Sequence, residues 1–98
     1  MKTATEVKQL RDWRGDARLY KLSEPAWCEY YDEDAEDYKE RETDFVIVSA
    51  VNFEYAHETY IFPAYDNGAP IAMSEMTGSY KGGTDHEAAL NALGYEIA

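Results

Sequence analysis

Ninety-eight residues read as one domain, 1–98, with room for one modest core, and a hydrophobic content of 45% argues against wholesale disorder. A formal charge of −11 repels free nucleic acid and anionic membrane at long range and favours basic proteins as partners, including those that themselves bind nucleic acid. The one cysteine, Cys28, has no internal disulfide partner. With no apolar run of about 18 residues and no signal-peptide pattern, the expected location is cytoplasmic.

In chain order, Val7, Leu10 and Trp13 recur at three-residue spacing after Thr5, which predicts a short N-terminal helix from Thr5 to Trp13 stopped near Gly15. Ala17 to Ser23 reads as a strand that Pro25 ends. Residues 26–43 form an acidic insert whose like charges predict an extended or mobile connection. A short helix from Asp34 to Glu42, supported by the pairs Glu36/Lys39 and Asp37/Arg41, is the alternative.

Phe45 to Phe53 is the clearest strand, because Phe45-Val-Ile-Val48 is continuously apolar and mostly β-branched, as suits a central strand. Glu54 to His57 reads as a turn and Thr59 to Ala64 as the next strand. Asp66-Asn67-Gly68 is a strong turn signal, and Ile71 to Met76 is expected to return as a shorter strand. After the Gly-rich loop Thr77–Gly83, Thr84 and Glu87 are placed as a capping box. Ala89, Leu90 and Leu93 form the buried stripe, and Gly94 the stop. Tyr95 and Ile97 add a final short strand or pack on the core.

These elements predict an α+β fold: an antiparallel meander sheet of three to four strands, a C-terminal helix packed on one face, and the short N-terminal helix. The expected core comprises Leu19, Phe45, Ile47, Val48, Val51, Ile61, Leu90 and Leu93.

The acidic segment is the most informative stretch. Ten of the twenty-one residues from Glu24 to Asp44 are acidic, and only Lys39 and Arg41 oppose them. Residues 1–23, in contrast, carry about +3. Trp27, Tyr30, Tyr31 and Tyr38 lie among the acids, where a purely solvating tail has little use for aromatics. Aromatics among carboxylates suit a surface that attracts and then grips a basic partner. The candidate partner-binding residues are therefore Glu29, Tyr30, Tyr31, Asp32, Glu33, Asp34, Glu36, Asp37, Tyr38 and Glu40. Packing of the tyrosines on a sheet edge, with acidity serving solubility alone, is the competing reading.

Other motifs carry less. Asp32, Asp34 and Glu36 imitate the start of a calcium loop, but Asp37 stands where glycine is needed and Thr43 where a bidentate glutamate is needed. Gly78–Thr84 resembles a phosphate loop superficially. Gly83 holds the lysine's place, and Asp85 and Glu87 would repel phosphate. His57 and His86 lack a second His or Cys at zinc-ligand spacing. His86 beside Asp85, with Ser74 or Ser79 as nucleophile, is the arrangement an enzyme would use. No catalytic, metal or cofactor role is expected.

At Glu58–Ala64, the Asp66–Gly68 turn, Met73–Glu75 and Gly78–Leu90, the chain resembles small acidic uncharacterised proteins of actinobacteria and their phages. The resemblance covers about residues 16–23 and 44–96 and leaves the acidic segment outside. It implies a mobile-element accessory protein and names no activity. The resulting expectation is a non-enzymatic inhibitor of a basic, nucleic-acid-binding host protein, of anti-restriction or anti-CRISPR type, acting through a DNA-mimic-like surface. A generic cytoplasmic adaptor and a small enzyme using His86 are the alternatives.

Overall fold

Period-two alternation of side chains organises most of this chain. The structure is a computed structural model and describes residues 2–13, 15–53, 56–73, 75–76, 78–81 and 83–98. Strand β1 (Thr3–Gln9) pairs antiparallel with β2 (Asp16–Asp32), β2 with β3 (Asp37–Phe53), and β3 with β4 (Ala56–Ala64). Strand β5 (Tyr80–Lys81) adds antiparallel to β4, helix α1 (His86–Leu93) follows, and β6 (Glu96–Ile97) pairs parallel with β1. Among the described residues the sheet is therefore mixed and six-stranded, in the order β5-β4-β3-β2-β1-β6. The α+β class holds, but the sheet is wider than a three-to-four-strand antiparallel meander.

The expected N-terminal helix is absent. Residues 3–9 form β1, because β-branched Thr3, Thr5 and Val7 favour a strand and Ala4 buries completely opposite Leu22. Val7, whose spacing with Leu10 and Trp13 predicts the helix, is 50% exposed at a register irregularity between Glu6 and Lys8. Leu10 and Trp13 do reach the core, but from a turn. The Leu10 N–H donates to the Ala17 carbonyl at 2.8 Å. Gly15 then takes φ +77, where a side-chain carbon would collide with the Ala50 carbonyl.

Alternating residues of the central strands feed two small cores on opposite faces. Tyr20, Leu22, Val46, Val48 and Ile61 point toward α1, where Ala89, Leu90 and Tyr95 meet them. Ala17, Leu19, Ile47 and Ala64 point to the other face, under Leu10, Trp13 and Phe45. Most of the expected core is found there, with Phe45 and Leu93 only partly buried at its margins, while Val51 is buried outside both clusters. Phe45–Phe53 is the inner part of β3 and lies centrally, as anticipated. Tyr60 stacks on Phe62 at 6.0 Å between ring centroids, on the sheet face.

Four further expectations are corrected. Pro25 does not end β2, which continues to Asp32 through a register shift between Lys21 and Ala26 that absorbs the proline. Residues 26–43 are extended, but as the paired outer half of the β2–β3 hairpin rather than as a mobile connection or a helix. Ile71–Met76 is not a regular strand among its described residues. It touches β4 singly, through Ile71 N–H to the Pro63 carbonyl and Met76 N–H to the Ile61 carbonyl, both at 2.8 Å, and Pro70 opens the segment without an N–H to give. Of the expected turn at 54–57, Glu54 and Tyr55 lie outside the described residues, as do Thr77 and Gly82 of the Gly-rich loop.

Asp85, not Thr84, is the N-cap of α1, and its Oδ1 accepts from the N–H groups of Glu87 at 3.0 Å and Ala88 at 3.2 Å. The buried Thr59 hydroxyl sets this up by accepting from Asp85 N–H and donating to the Gly83 carbonyl. Gly94 stops the helix at φ 109. Its N–H reaches Asn91, the Tyr95 N–H reaches Leu90, and the turn drops Tyr95 into the core. Tyr95 thus packs on the core while Ile97 joins the short final strand.

Asp85→Ala should lower stability by about 1 kcal/mol, since it strips the acceptor from two helix N–H groups. Thr84→Ala should stay within about 0.5 kcal/mol, as expected for an exposed position. Urea denaturation of both variants checks this, and the reverse order would return the cap to Thr84.

Candidate functional site

The outer half of the β2–β3 hairpin gathers every residue singled out in the acidic segment. Beyond the register shift, Ala26 pairs with Thr43, Trp27 with Glu42, Cys28 with Arg41, Glu29 with Glu40, Tyr30 with Lys39, Tyr31 with Tyr38 and Asp32 with Asp37. Glu33, Asp34, Ala35 and Glu36 make the turn. Strand β1 leaves β2 at the pair Ala4–Leu22, and β4 leaves β3 at Ala64–Phe45, so this half is a two-stranded ribbon.

Paired residues share a face of such a ribbon, and successive residues alternate. One face therefore presents Trp27, Glu29 and Tyr31 beside Glu42, Glu40 and Tyr38. All six are exposed, the aromatics by 65% for Trp27, 51% for Tyr31 and 60% for Tyr38. The Tyr31 and Tyr38 rings meet edge-on at 5.2 Å. Among the paired residues of the ribbon, no cation lies on this face. The opposite face carries Cys28, Tyr30 and Asp32 beside Arg41, Lys39 and Asp37, so it takes both cations of the segment.

Those two cations are engaged there. Lys39 Nζ lies 2.9 Å from Asp32 Oδ2, which holds the Asp32 carboxyl below its usual range and lifts the Lys39 ammonium above its own. Backbone N–H groups of Ala35 and Asp34 also hold Asp32 down. The Arg41 guanidinium stands over the Tyr65 ring, 5.5 Å from its centroid. Cys28 sits 5% exposed against the α1-side core, where burial pushes its thiol up and Arg41 offsets part of that rise.

Sorted this way, the ten candidate residues are not equivalent. Glu29, Tyr31, Tyr38 and Glu40 are on the cation-free face, and Glu33, Asp34 and Glu36 are at the tip. Tyr30 is half-buried on the other face with Asp32 and Asp37. Asp32 is a turn-forming residue, because its Oδ1 accepts from Asp34 and Ala35 while its Oδ2 holds Lys39. Glu36 sits at φ 53, a region glutamate rarely adopts. Trp27 and Glu42 were missing from the candidates and belong with the exposed face. The alternation Trp27-x-Glu29-x-Tyr31 is the signal that would have found them.

The residues an enzyme would use are placed differently. His86 is the first residue of α1, and its Nε2 lies 2.9 Å from the Asp16 carbonyl, which can only accept, so Nε2 carries the proton. Nδ1 is then free to accept from the Tyr20 hydroxyl at 3.0 Å. The imidazole is thus a neutral clasp between α1 and β2. Burial pushes its pKa down, outweighing the upward pull of the Asp16 backbone hydrogen bond and carboxylate. Asp85 is occupied in capping, the Ser79 hydroxyl accepts from Ile61 N–H, and Ser74 lies outside the described residues. His57 is exposed, and among the described residues no three His, Cys, Asp or Glu side chains converge as a metal-holding group. Among the same residues no helix is long and apolar enough to cross a membrane.

Comparison with family models, with curated proteins and with solved structures gives no match for this chain.

The His86 clasp has a pH signature. A histidine whose folded pKa is depressed binds fewer protons when folded than when unfolded, so its stabilising contribution is complete above about pH 6.5 and is lost as pH falls through the folded pKa. Thermal melting at pH 7.5 and pH 5.5 should therefore show a larger drop for the wild type than for His86→Gln, which cannot titrate. Equal drops would show that the clasp is not neutral in the folded protein.

Proposed function

We propose that this protein is a non-enzymatic binding factor that occupies a basic, nucleic-acid-binding surface on a host protein with its acidic hairpin. The observation that carries this reading is the cation-free ribbon face of Trp27, Glu29, Tyr31, Tyr38, Glu40 and Glu42, continued at the tip by Glu33, Asp34 and Glu36. Carboxylates on a face with no cation steer a basic partner in, and exposed aromatics beside them supply the apolar contact that slows its departure. An accessory factor of a phage or mobile element, acting against a restriction or CRISPR nuclease, is the setting that fits the sequence resemblance.

Charge density narrows the imitation. Residues 26–43 carry eight acids against two bases. Seven paired positions and a turn span about 25 Å at roughly 3.3 Å per residue. That is one net negative charge per roughly 4 Å, against about 1.7 Å in duplex DNA and about 3.4 Å along one strand. The ribbon therefore approaches the density of a single strand rather than a duplex. Its exposed aromatics fit that reading as well, since single-strand grooves combine cationic walls with stacking platforms.

The test replaces Glu29, Glu33, Glu36, Glu40 and Glu42 with glutamine, sparing Asp32 because it builds the turn. The fold should survive, since exposed like charges repel and their removal costs little. The immobilised wild type is used to capture partners from host lysate at low and high salt, and surface plasmon resonance then compares the variants. The captured protein should be basic and bind nucleic acid. The five-fold variant should associate at least tenfold more slowly with a flattened salt dependence, while Tyr31→Ala should mainly speed dissociation. A wild-type on-rate and salt slope in the five-fold variant would replace this reading with a generic adaptor that binds through its aromatics.

A further inference from the structure

The ribbon offers backbone as well as side chains. Among the described residues, β2 over 26–32 is paired with β3 on one side only, because β1 stops opposite Leu22 and its last tie is the Thr3 N–H to the Ser23 hydroxyl. Seven residues at roughly 3.3 Å each leave an open edge of about 23 Å, enough for a full partner strand. The matching stretch of β3, residues 37–42, has no strand on its outer side among the described residues either, whereas Thr43 is buried and its hydroxyl donates to the Ala64 carbonyl. The two edges differ in charge: β3 carries Lys39 and Arg41, whereas Glu24 to Asp32 carries Glu24, Glu29 and Asp32 and no cation.

Resting on the acidic-hairpin reading above, we propose that the partner contributes an extended basic segment that adds as a strand to the open edge of β2 beside residues 26–32. Open edges invite pairing with any extended chain, and proteins commonly guard them with charge. Here the guard is of one sign. A second copy of this chain would bring acids against acids, which like-charge pairing disfavours. A segment with lysine or arginine at alternate positions meets the reverse situation. On the exposed face its cations fall beside Trp27, Glu29 and Tyr31, where the carboxylate takes the charge and the rings take the stems and the cation faces. The charge that keeps copies apart thus selects the strand that is admitted.

The probe is a nine-residue peptide with arginine at every second position and threonine or valine between, titrated against the intact protein. Two control peptides of the same sequence and charge are N-methylated on one or the other alternate set of residues, since only one set of amides in an added strand faces β2. The parent peptide should bind. One control should match it and the other should lose at least tenfold in affinity. The amides of 26–32, not those of 37–42, should gain protection from hydrogen exchange. Equal binding of all three peptides would overturn strand addition and leave the acidic-surface reading standing. Protection along 37–42 would also overturn it, as would self-association of the free protein through this edge in sedimentation. Failure of every peptide to bind even at low salt would sink both the strand and the acidic-surface reading.

Discussion

The pairing of β2 with β3 is the constraint on which the rest of the molecule depends. One ladder runs from Asp16 opposite Ala50 to Asp32 opposite Asp37, interrupted only between Lys21 and Ala26. Its outer part sets Glu29 directly across from Glu40 and Asp32 across from Asp37, and like charges in those positions are destabilising. What offsets them is local and visible. Tyr31 meets Tyr38 edge-on, Lys39 bridges to Asp32, and Cys28 plants the ribbon's base in the core. The charges that remain uncompensated face solvent, where salt screens them within about 8 Å.

The register shift divides one ladder into two jobs. On its inner side, alternation sends Tyr20, Val46 and Val48 to the helix side and Leu19 and Ile47 to the other, and both faces are covered. On its outer side, the same alternation has almost nothing to cover it, so it sorts charge instead. The cations go to the face that continues from Cys28, and the aromatics and glutamates go to solvent. The C-terminal elements lock the inner half in place. His86 clasps Tyr20 and Asp16, Thr59 positions the start of α1, and the Tyr95 hydroxyl donates to the Glu24 carbonyl beside the shift. The inner half is thereby a packed mount, and the outer half is what it presents.

How much of this could be read in advance follows from the kind of signal each element left. Phe45–Phe53 announced itself through continuous β-branched apolar residues, and Gly94 and Asp66–Gly68 through backbone conformations that few residues tolerate. The helix cap was off by one residue, because the choice between Thr84 and Asp85 is made by the distant Thr59 hydroxyl. The N-terminal segment showed a three-residue period in Val7, Leu10 and Trp13 that was coincidental. Ala4 and the edge of β2 decided its form. The acidic segment was legible as a site in composition but not in shape. Repulsion among its charges is visible along the chain, whereas the compensating contacts lie across it, between Tyr31 and Tyr38 and between Asp32 and Lys39. Only pairing reveals that Trp27 and Glu42 belong together.

Residues 26–43 form a fixed ribbon that holds its carboxylates in a sorted pattern, rather than a charged loop. Nuclear Overhauser contacts on labelled protein at physiological salt test it most directly. Contacts are expected between the Tyr31 and Tyr38 rings, with backbone contacts linking residue 29 to 40 and 27 to 42. Chemical shifts should stay in the strand range from Trp27 to Asp32. Random-coil shifts across 26–43 with no cross-strand contact would contradict it, and with it the division of the ribbon into an acidic aromatic face and a cation-bearing one.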